Sequence, residues 1–463
     1  MKLSRLTALV LTLVMAVILF AGCGTTEQAA TASGDAAAAI ASEASAKPAV
    51  ETSAEPVTVN MFIQKNAVDA WGTKLKDQFE AANPNIKVEW NLLAEDSVQA
   101  FQKMDMAVMS GDPTDVVLLQ NPNHYSKYVS GKLLAPLNDL AAEAGYDINK
   151  IYGGYAKKYE NDTYYWLPDS VTMNIVYYNK KIFDDAGVPY PTGKWTWDEY
   201  IETAKKLTDT SKGIYGSFMM LDWEYFNYML ANQKKTPAYK EDGTSNFDDP
   251  AWGESLKFLH DLAAVHKIQP SRPEFAAKKL QFDSFMSGKF AMQVLGTWFL
   301  GTAQDYEKYP RDWKIGVCAP PANPGGENIL SAGGGFGLSK TATHPKEAFK
   351  FITYLCENEY TANGGVTPAR VDISKEDMLK VFENTSKSLK GEVTAQELMD
   401  AAYPPNLGVA NEKIIGTASA QINDTWNKEA EKYMFDQQSL EDTMKNIKTK
   451  ADDFIAEAKA SAK

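Results

Sequence analysis

Cysteine is scarce in this sequence of 463 residues. Its three cysteines, Cys23, Cys318 and Cys356, are too few for a disulfide scaffold, which excludes the small disulfide-stapled domains. Free cysteine often packs as a small hydrophobic residue. We therefore expect Cys318 and Cys356 to be buried free thiols, with a single bridge between them as the alternative.

Catalytic signatures are also missing. The chain has neither G-x-S-x-G nor H-E-x-x-H, and its four histidines do not follow a metal-ligand spacing (His124, His260, His266 and His344). We expect no enzyme activity, no metal and no cofactor. A secreted glycoside hydrolase stays open as an alternative, because such an enzyme needs only two suitably spaced carboxylates among the 60 acidic residues.

Positive charge is in deficit, with a formal net charge of −13. Removal of a leader that carries Lys2 and Arg5 would change −13 to −15. Such an acidic surface repels nucleic acid and anionic lipid, so neither is expected as a direct partner.

Only one long apolar run is present, from Leu6 to Phe20, and it follows the positive residues Lys2 and Arg5. The run suits a signal peptide better than a transmembrane helix. The next residues, Ala21-Gly22-Cys23, resemble a bacterial lipobox, with Phe20 where leucine is usual. The resemblance implies a signal peptide over 1–22 and a lipidated, palmitate-bearing Cys23. A plain signal peptide with an incidental cysteine is the alternative.

Residues 24–55 are rich in alanine, serine, threonine, glycine and glutamate and contain no aromatic residue. Such a segment buries too little apolar surface to offset its ordering entropy, so it predicts a flexible tether.

Strand and helix patterns alternate along the first part of the folded body. Residues 57–63 are rich in β-branched and apolar residues, 86–90 alternate in polarity, and Asp115 is followed by a continuous apolar run over 116–119. Helical spacing separates these segments, which predicts an α/β sheet of the parallel type. Ligands of such sheets bind beyond the carboxyl ends of the strands, here Gln64–Asn66 and Gln120–Asn123.

The middle of the chain is more helical. Thr196 and Glu199 have the spacing of a capping box, and Trp195 and Tyr200 can form its hydrophobic staple. These two aromatic residues are therefore predicted to be structural. Residues 289–298 predict a further strand that ends in Gly-Thr-Trp.

Several segments, in order, resemble the family 1 extracellular solute-binding proteins, which include the maltodextrin-binding proteins. The matching stretches cover about Pro56 to Arg370 and include residues 79–88 (FEAANPNIKV), 109–116 (MSGDPTDV), 177–188 (YYNKKIFDDAGV), 285–292 (FMSGKFAM) and 344–348 (HPKEA). No single stretch is decisive, but their shared order is specific.

The resemblance implies an α/β, two-lobed, type II periplasmic-binding-protein fold, with discontinuous lobes joined by hinge strands near Leu167–Val176 and Pro321–Ala332. Hinge closure around a ligand is the expected motion. The implied organisation is a signal peptide over 1–22, a lipidated cysteine and tether over 23–55, lobe 1 over 56–168 plus about 322–365, and lobe 2 over about 169–321 plus 366–463.

A sugar presents apolar ring faces edged with hydroxyls, so its site needs a flat aromatic side chain and several polar groups. The resemblance implies a stacking role for Trp298 and polar contacts for Asp169 and Thr172, which could instead cap a turn and a strand. Trp223 is a second stacking candidate or a core residue. Arg370 could bind ligand or close the lobes through an ion pair.

Gly334 belongs to a glycine run that could approach ligand or serve only as a flexible crossing. Asn411 lies where the family often contributes an aromatic residue, a departure from a maltodextrin-type site. With the polar strand ends, the predicted ligand-binding residues are Gln64, Asn66, Gln120, Asn123, Asp169, Thr172, Trp223, Trp298, Gly334, Arg370 and Asn411.

The implied function is that of a substrate-binding lipoprotein of an ABC importer, located on the outer face of the cell membrane. Expected partners are a sugar, expected to be an oligosaccharide, the permease subunits, and the membrane through the lipid anchor; the chain is expected to be a monomer. The alternatives are a binding protein for a non-sugar solute, such as a glycerol phosphodiester or a polyamine, and a surface interaction lipoprotein.

Overall fold

The computed structural model describes residues 56–94, 97–119, 122–159, 162–221, 224–323, 329–362, 367–403, 408–409 and 414–461. Residues 53–463 cluster as one compact unit, so contacts can be followed throughout their described part. The predicted signal peptide, Cys23 and the whole of the predicted tether over 24–55 lie outside the described residues.

Eleven strands are found in the described part. They are β1 Val57–Gln64, β2 Ile86–Leu93, β3 Val116–Leu119, β4 Trp166–Pro168, β5 Ser170–Asn179, β6 Met292–Gly296, β7 Ile315–Cys318, β8 Ile329–Ala332, β9 Gly335–Leu338, β10 Thr367–Pro368 and β11 Gly408–Val409.

Helices fill the connections between strands. The first nine are α1 Lys65–Ala67, α2 Thr73–Ala82, α3 Ser97–Ser110, α4 Pro122–Ser130, α5 Asn138–Glu143, α6 Ile148–Tyr152, α7 Lys180–Ala186, α8 Trp197–Leu207 and α9 Glu224–Asn227. The others described are α10 Met229–Gln233, α11 Pro250–Ala264, α12 Arg272–Ala277, α13 Phe299–Gln304, α14 Pro345–Ala362, α15 Lys375–Ser388, α16 Ala395–Ala402, α17 Ser419–Met434 and α18 Leu440–Ser461. Short 3-10 turns occur at Gly153–Tyr155, Thr210–Lys212 and Phe282–Ser287.

The first sheet has the strand order β2-β1-β3-β9-β4. Its β1–β2 and β1–β3 pairs are parallel, as the alternating sequence pattern predicted. Strand β9, which comes from far along the chain, pairs antiparallel with both β3 and β4. Distant segments therefore complete a sheet that the N-terminal part of the body begins.

The second sheet is organised around the ten-residue strand β5. Strands β10 and β8 pair with the first residues of β5, and β6 and β7 pair with its later residues, all of them antiparallel. The short strand β11 adds to β8 in parallel. Because β5 directly follows β4, one continuous stretch of chain passes from the first sheet into the second.

Local signals in the sequence predicted several of these elements. The capping box forms between Thr196 and Glu199, and the rings of Trp195 and Tyr200 pack edge to face at 5.5 Å, which confirms the predicted structural role of both aromatic residues. The strand predicted over 289–298 is shorter, because Trp298 already has helical backbone angles and precedes α13. Cys318 and Cys356 are buried free thiols, as expected.

Within the part of the chain that the structure describes, no helix combines the length and the apolar character needed to cross a membrane.

A buried carboxylate joins the last two helices. Glu429 of α17, whose side chain is 1% exposed, pairs with Lys450 of α18 at 2.6 Å and with Lys432 at 2.9 Å. The amides of Gln438 and Asn446 each donate to it at 3.1 Å. Burial alone would raise the pKa of Glu429, but these hydrogen bonds lower the pKa to about 2.

We expect Glu429→Gln to lower the free energy of unfolding at neutral pH by roughly 1–3 kcal/mol, because it leaves two half-exposed ammonium groups without their shared carboxylate. The contribution of Glu429 should be complete above its ordinary pKa of 4.5 and should be lost as the pH falls towards 2. Denaturant titrations from neutral to acid pH measure both effects. The control is Asp424→Asn in the exposed Lys428–Asp424 pair of the same helix, where the change should be small; equal losses in both variants would contradict this account.

Candidate ligand-binding site

The first half of β5 has two chemically different faces. Val171, Met173 and Ile175 are buried, whereas Ser170, Thr172 and Asn174 alternate with them and stay half-exposed. Because successive side chains of a strand point to opposite faces, the three polar residues lie on one side of β5. This polar row forms one wall of the candidate site.

Trp298 stands beside this row. Strand β6 pairs with β5 so that Gly296 lies opposite Asn174, and the Thr297 N–H donates to the Met173 carbonyl at 2.9 Å. The turn after β6 then presents Trp298, which remains 39% exposed although most large aromatic residues of the fold are buried. Its ring packs edge to face against Phe282 at 5.3 Å.

Gly296 brings the indole and the polar row together. A Cβ placed on Gly296 would lie 2.4 Å from Nε1 of Trp298 and 2.8 Å from Cγ2 of Thr172, closer than side chains tolerate. The indole therefore lies over the bare backbone of Gly296, on the side where Thr172 also lies. Two residues predicted separately, 126 positions apart in sequence (298 minus 172), are neighbours in the fold.

The glycine run between β8 and β9 lies against the same polar row. The Gly333 N–H donates to the Ser170 carbonyl at 2.7 Å, and the Gly334 N–H donates to the Ser170 hydroxyl at 3.4 Å. A Cβ on Gly333 would lie 3.0 Å from Oγ1 of Thr172. The predicted residue Gly334 is thus a neighbour of the polar row, and the missing side chains permit this close approach.

Asp169 lies behind the row rather than on it. It is 6% exposed, and its Oδ1 accepts a hydrogen bond from the Ser170 hydroxyl at 3.0 Å. Burial raises the pKa of Asp169. Its contact with a ligand stays a prediction.

Arg370 is held by acidic neighbours. Its guanidinium forms a two-pronged pair with Asp372, at 2.9 and 2.8 Å, and lies 3.4 Å from Glu357. Hydrogen bonds to Asp372 raise the pKa of Arg370. The cation is therefore already compensated, and its role towards a ligand stays a prediction.

The remaining predicted residues belong to the first sheet or fall outside the described part. Gln64 ends β1 and is 7% exposed, and Asn66 is exposed with its Oδ1 accepting from the Ala67 N–H at 3.0 Å. Asn123 lies in the first turn of α4, but its side chain is not among those described. Three of the predicted residues lie outside the described residues, namely Gln120, Trp223 and Asn411.

The sequence interpretation missed Ser170 and Asn174 of the polar row. The polar–apolar alternation of residues 170–175 was the signal that could have found them.

Two cavities lie away from this arrangement. One, of about 400 Å³, is lined by residues that include Phe62, Leu92 and Lys103, and the other, of about 330 Å³, lies between α11 and α18. Neither includes Thr172 or Trp298. Among the described residues, no cluster of three or more histidine, cysteine or acidic side chains could hold a metal ion.

A partly exposed indole next to hydroxyl and amide side chains suits a ligand that has both an apolar face and polar edges. Such a site at the crossing between two sheets defines a class of protein, the two-lobed binding proteins of α/β type.

Comparison with known proteins supports the assignment of this chain to that class. The chain belongs to the bacterial extracellular solute-binding protein family, whose model matches residues 63–362. An ABC substrate-binding protein from Listeria monocytogenes, solved in complex with cycloalternan, has a TM-score of 0.70 at 23% identity and covers 87% of this chain and 100% of its own. The predicted fold, two discontinuous lobes of type II joined by hinge strands, is thereby confirmed.

Curated relatives match over a smaller part of the chain. The arabinooligosaccharide-binding protein of Halalkalibacterium halodurans is 25% identical over 264 residues, which cover 55% of this chain and 57% of that protein. The multiple sugar-binding protein of Streptococcus mutans is 24% identical over 313 residues, which cover 65% of this chain and 71% of that protein.

We expect Gly296→Ala to weaken ligand binding about tenfold, or ~1.4 kcal/mol, because its Cβ would displace the Trp298 indole from Thr172. Gly301→Ala in the neighbouring helix α13 is the matched control, since a Cβ there meets nothing within 4 Å. Titration calorimetry with the best ligand of a solute screen measures the change. Wild-type affinity in a folded Gly296→Ala protein would show that the indole position does not matter.

Proposed function

We propose that this protein is the extracytoplasmic substrate-binding lipoprotein of an ABC importer, and that it captures an oligosaccharide between two closing lobes and delivers it to the permease. The observation that carries the proposal is the meeting of Trp298 with the polar row of Ser170, Thr172 and Asn174 across the bare Gly296. The ligands in the names of the sugar-binding relatives support the same solute class.

The physical case rests on matching a sugar's two kinds of surface. The apolar face of a pyranose or furanose ring can cover the exposed part of the Trp298 indole. Its hydroxyls need partners when they leave water, and the hydroxyls and amide of the polar row can both donate and accept. When the two lobes close over the ligand, the first lobe would supply further partners. Our candidates are Gln64, Asn66, Gln120 and Asn123.

The lobe boundaries remain part of the proposal. We assign residues 56–168 plus about 322–365 to lobe 1, and about 169–321 plus 366–463 to lobe 2. The two sheets support this division, because β5 begins directly after β4 and because β9 returns to the first sheet directly after β8. Closure by bending at these crossings is a recognised mode of motion in binding proteins.

The location of the protein is proposed from its N-terminal sequence. A lipid on Cys23 and a tether over 24–55 would hold the body on the outer face of the cell membrane as a monomer, within reach of the permease. Family membership supports the extracytoplasmic location. The acyl chains and the anchoring are inferred from the lipobox-like residues alone.

A hydrolase is not favoured by the arrangement. The family and the structural neighbours are binding proteins. Among non-sugar solutes, a phosphodiester would gain little from Arg370, because Asp372 and Glu357 already compensate its charge. We therefore keep a neutral, hydroxyl-rich solute as the proposed class.

The test is a thermal-shift screen of residues 56–463 against neutral oligosaccharides, acidic sugars, polyols and polyamines. A ligand that binds only the native state adds RT ln(1 + [L]/Kd), about 2.7 kcal/mol at a hundred times Kd. We expect one neutral glycan class to stabilise the wild type. Trp298→Ala should weaken its binding by at least about tenfold with little change in unliganded stability, because the indole is partly exposed.

Trp298→Phe serves as the matched variant, since it keeps an aromatic face and should recover part of the affinity. Stabilisation by polyamines or phosphodiesters alone would move the proposal to another solute class. An unchanged glycan affinity in Trp298→Ala would show that the indole does not contribute to glycan binding.

A further inference from the structure

A buried cross-strand pair lies beneath the turn that carries Trp298. Tyr177 of β5 and Gln293 of β6 are direct partners in the antiparallel pairing of these strands, so their side chains project from the same face of the sheet. Both residues are fully buried. Tyr177 is an odd number of positions from Thr172 along the same strand, and successive side chains alternate between faces. The pair therefore lies on the face opposite to the polar row.

The Tyr177 hydroxyl fixes the backbone that leads to Trp298. It donates to the Gly296 carbonyl at 3.0 Å in the buried interior. That carbonyl and the Thr297 N–H belong to one peptide unit, and the N–H donates to the Met173 carbonyl at 2.9 Å. Both polar groups of the peptide unit before Trp298 are thus hydrogen-bonded, and a side chain supplies one of the two bonds.

The amide of Gln293 fixes an aromatic residue that packs against the indole. Its Nε2 donates to the Phe282 carbonyl at 2.7 Å, and the Phe282 ring packs edge to face against Trp298 at 5.3 Å. Phe282 begins the 3-10 turn Phe282–Ser287. Because such a turn has poorer hydrogen-bond geometry than an α-helix, a side-chain bond to its first residue adds a constraint on its position.

The ring of Phe299 connects the two halves of this arrangement. Phe299, the first residue of α13, packs edge to face against Tyr177 at 5.0 Å and against Phe282 at 6.4 Å. Its ring also lies 6.2 Å from the indole of Trp298, at an angle of 86°. The indole therefore packs on rings whose own positions are set by the buried pair.

We propose that Tyr177 and Gln293 are positioning residues for solute binding, and that they hold the Trp298 indole beside the polar row. Neither touches the solute, because both are fully buried. The inference rests on the proposed function, since it concerns the same site. An aromatic ring that is already held in its binding orientation loses less freedom when a ligand arrives, so this preorganisation raises affinity.

Tyr177→Phe is the sharpest variant, because it removes only the hydroxyl and leaves a ring to pack against Phe299. The Gly296 carbonyl then loses its side-chain partner. We expect the ligand found in the solute screen to bind about tenfold more weakly, as measured by titration calorimetry. Gln293→Met removes the donor to Phe282 in a side chain of similar size and should also weaken binding.

A double-mutant cycle separates positioning of the indole from a general effect on the fold. If Tyr177 acts through Trp298, Tyr177→Phe should change affinity by less than about twofold when Trp298→Ala is already present. The same criterion applies to Gln293→Met. Equal losses of affinity with and without the indole would overturn the inference, and so would unchanged affinity in both single variants.

Tyr200→Phe is the matched control. Tyr200 is also fully buried, and its hydroxyl is hydrogen-bonded to Oγ of Ser217 at 2.7 Å. Its ring packs against Trp195 and Trp197. The variant thus removes a buried tyrosine hydroxyl that does not hold the turn before Trp298, and it should keep wild-type affinity.

Fluorine NMR of the protein labelled with fluorotryptophan tests the positioning without any ligand. The signal that disappears in Trp298→Phe is that of Trp298. We expect it to shift or broaden in Tyr177→Phe and in Gln293→Met, and to keep its wild-type position in Tyr200→Phe. An unchanged Trp298 signal in both variants of the pair would overturn the inference. Failure of every solute to bind would instead sink the proposed function, while the fluorine signal still decides whether the pair holds the indole.

Discussion

Backbone pairing along β5 is the interaction on which the rest of this structure depends. This single strand accepts β10 and β8 near its start and β6 and β7 further on, and it follows β4 of the first sheet after one residue. A one-residue slip of β5 would exchange its polar and apolar faces. The register therefore sets both the core of the second sheet and the polar row of the candidate site.

The close approach of the Trp298 indole to the backbone of β6 is the second constraint. The indole of Trp298 can meet Thr172 only because Gly296 carries no side chain between them, and Gly333 permits a similar approach along the same row. These glycines do not bind solute themselves. They make room for a flat aromatic surface beside hydroxyl groups, which is the combination that a sugar ring requires.

Buried charge is treated in two different ways in this fold. Glu429 stays ionised between α17 and α18 because two lysines and two amides satisfy it. Burial raises the pKa of Asp169, whose Oδ1 accepts from the Ser170 hydroxyl. The first arrangement stabilises the contact between α17 and α18 at pH values above the ordinary pKa of 4.5, where the carboxylate is ionised, whereas burial of Asp169 disfavours its ionised form.

The sequence by itself determined the alternating α/β pattern, the capping box at Thr196 and Glu199, and the choice of Trp298 and Thr172, because these follow from local periodicity and from ordered family segments. Only the tertiary structure decided that Trp298 lies beside Thr172 and that Arg370 is paired with Asp372 and Glu357. Long-range register and close packing create such contacts, and neither leaves a periodic trace in the chain.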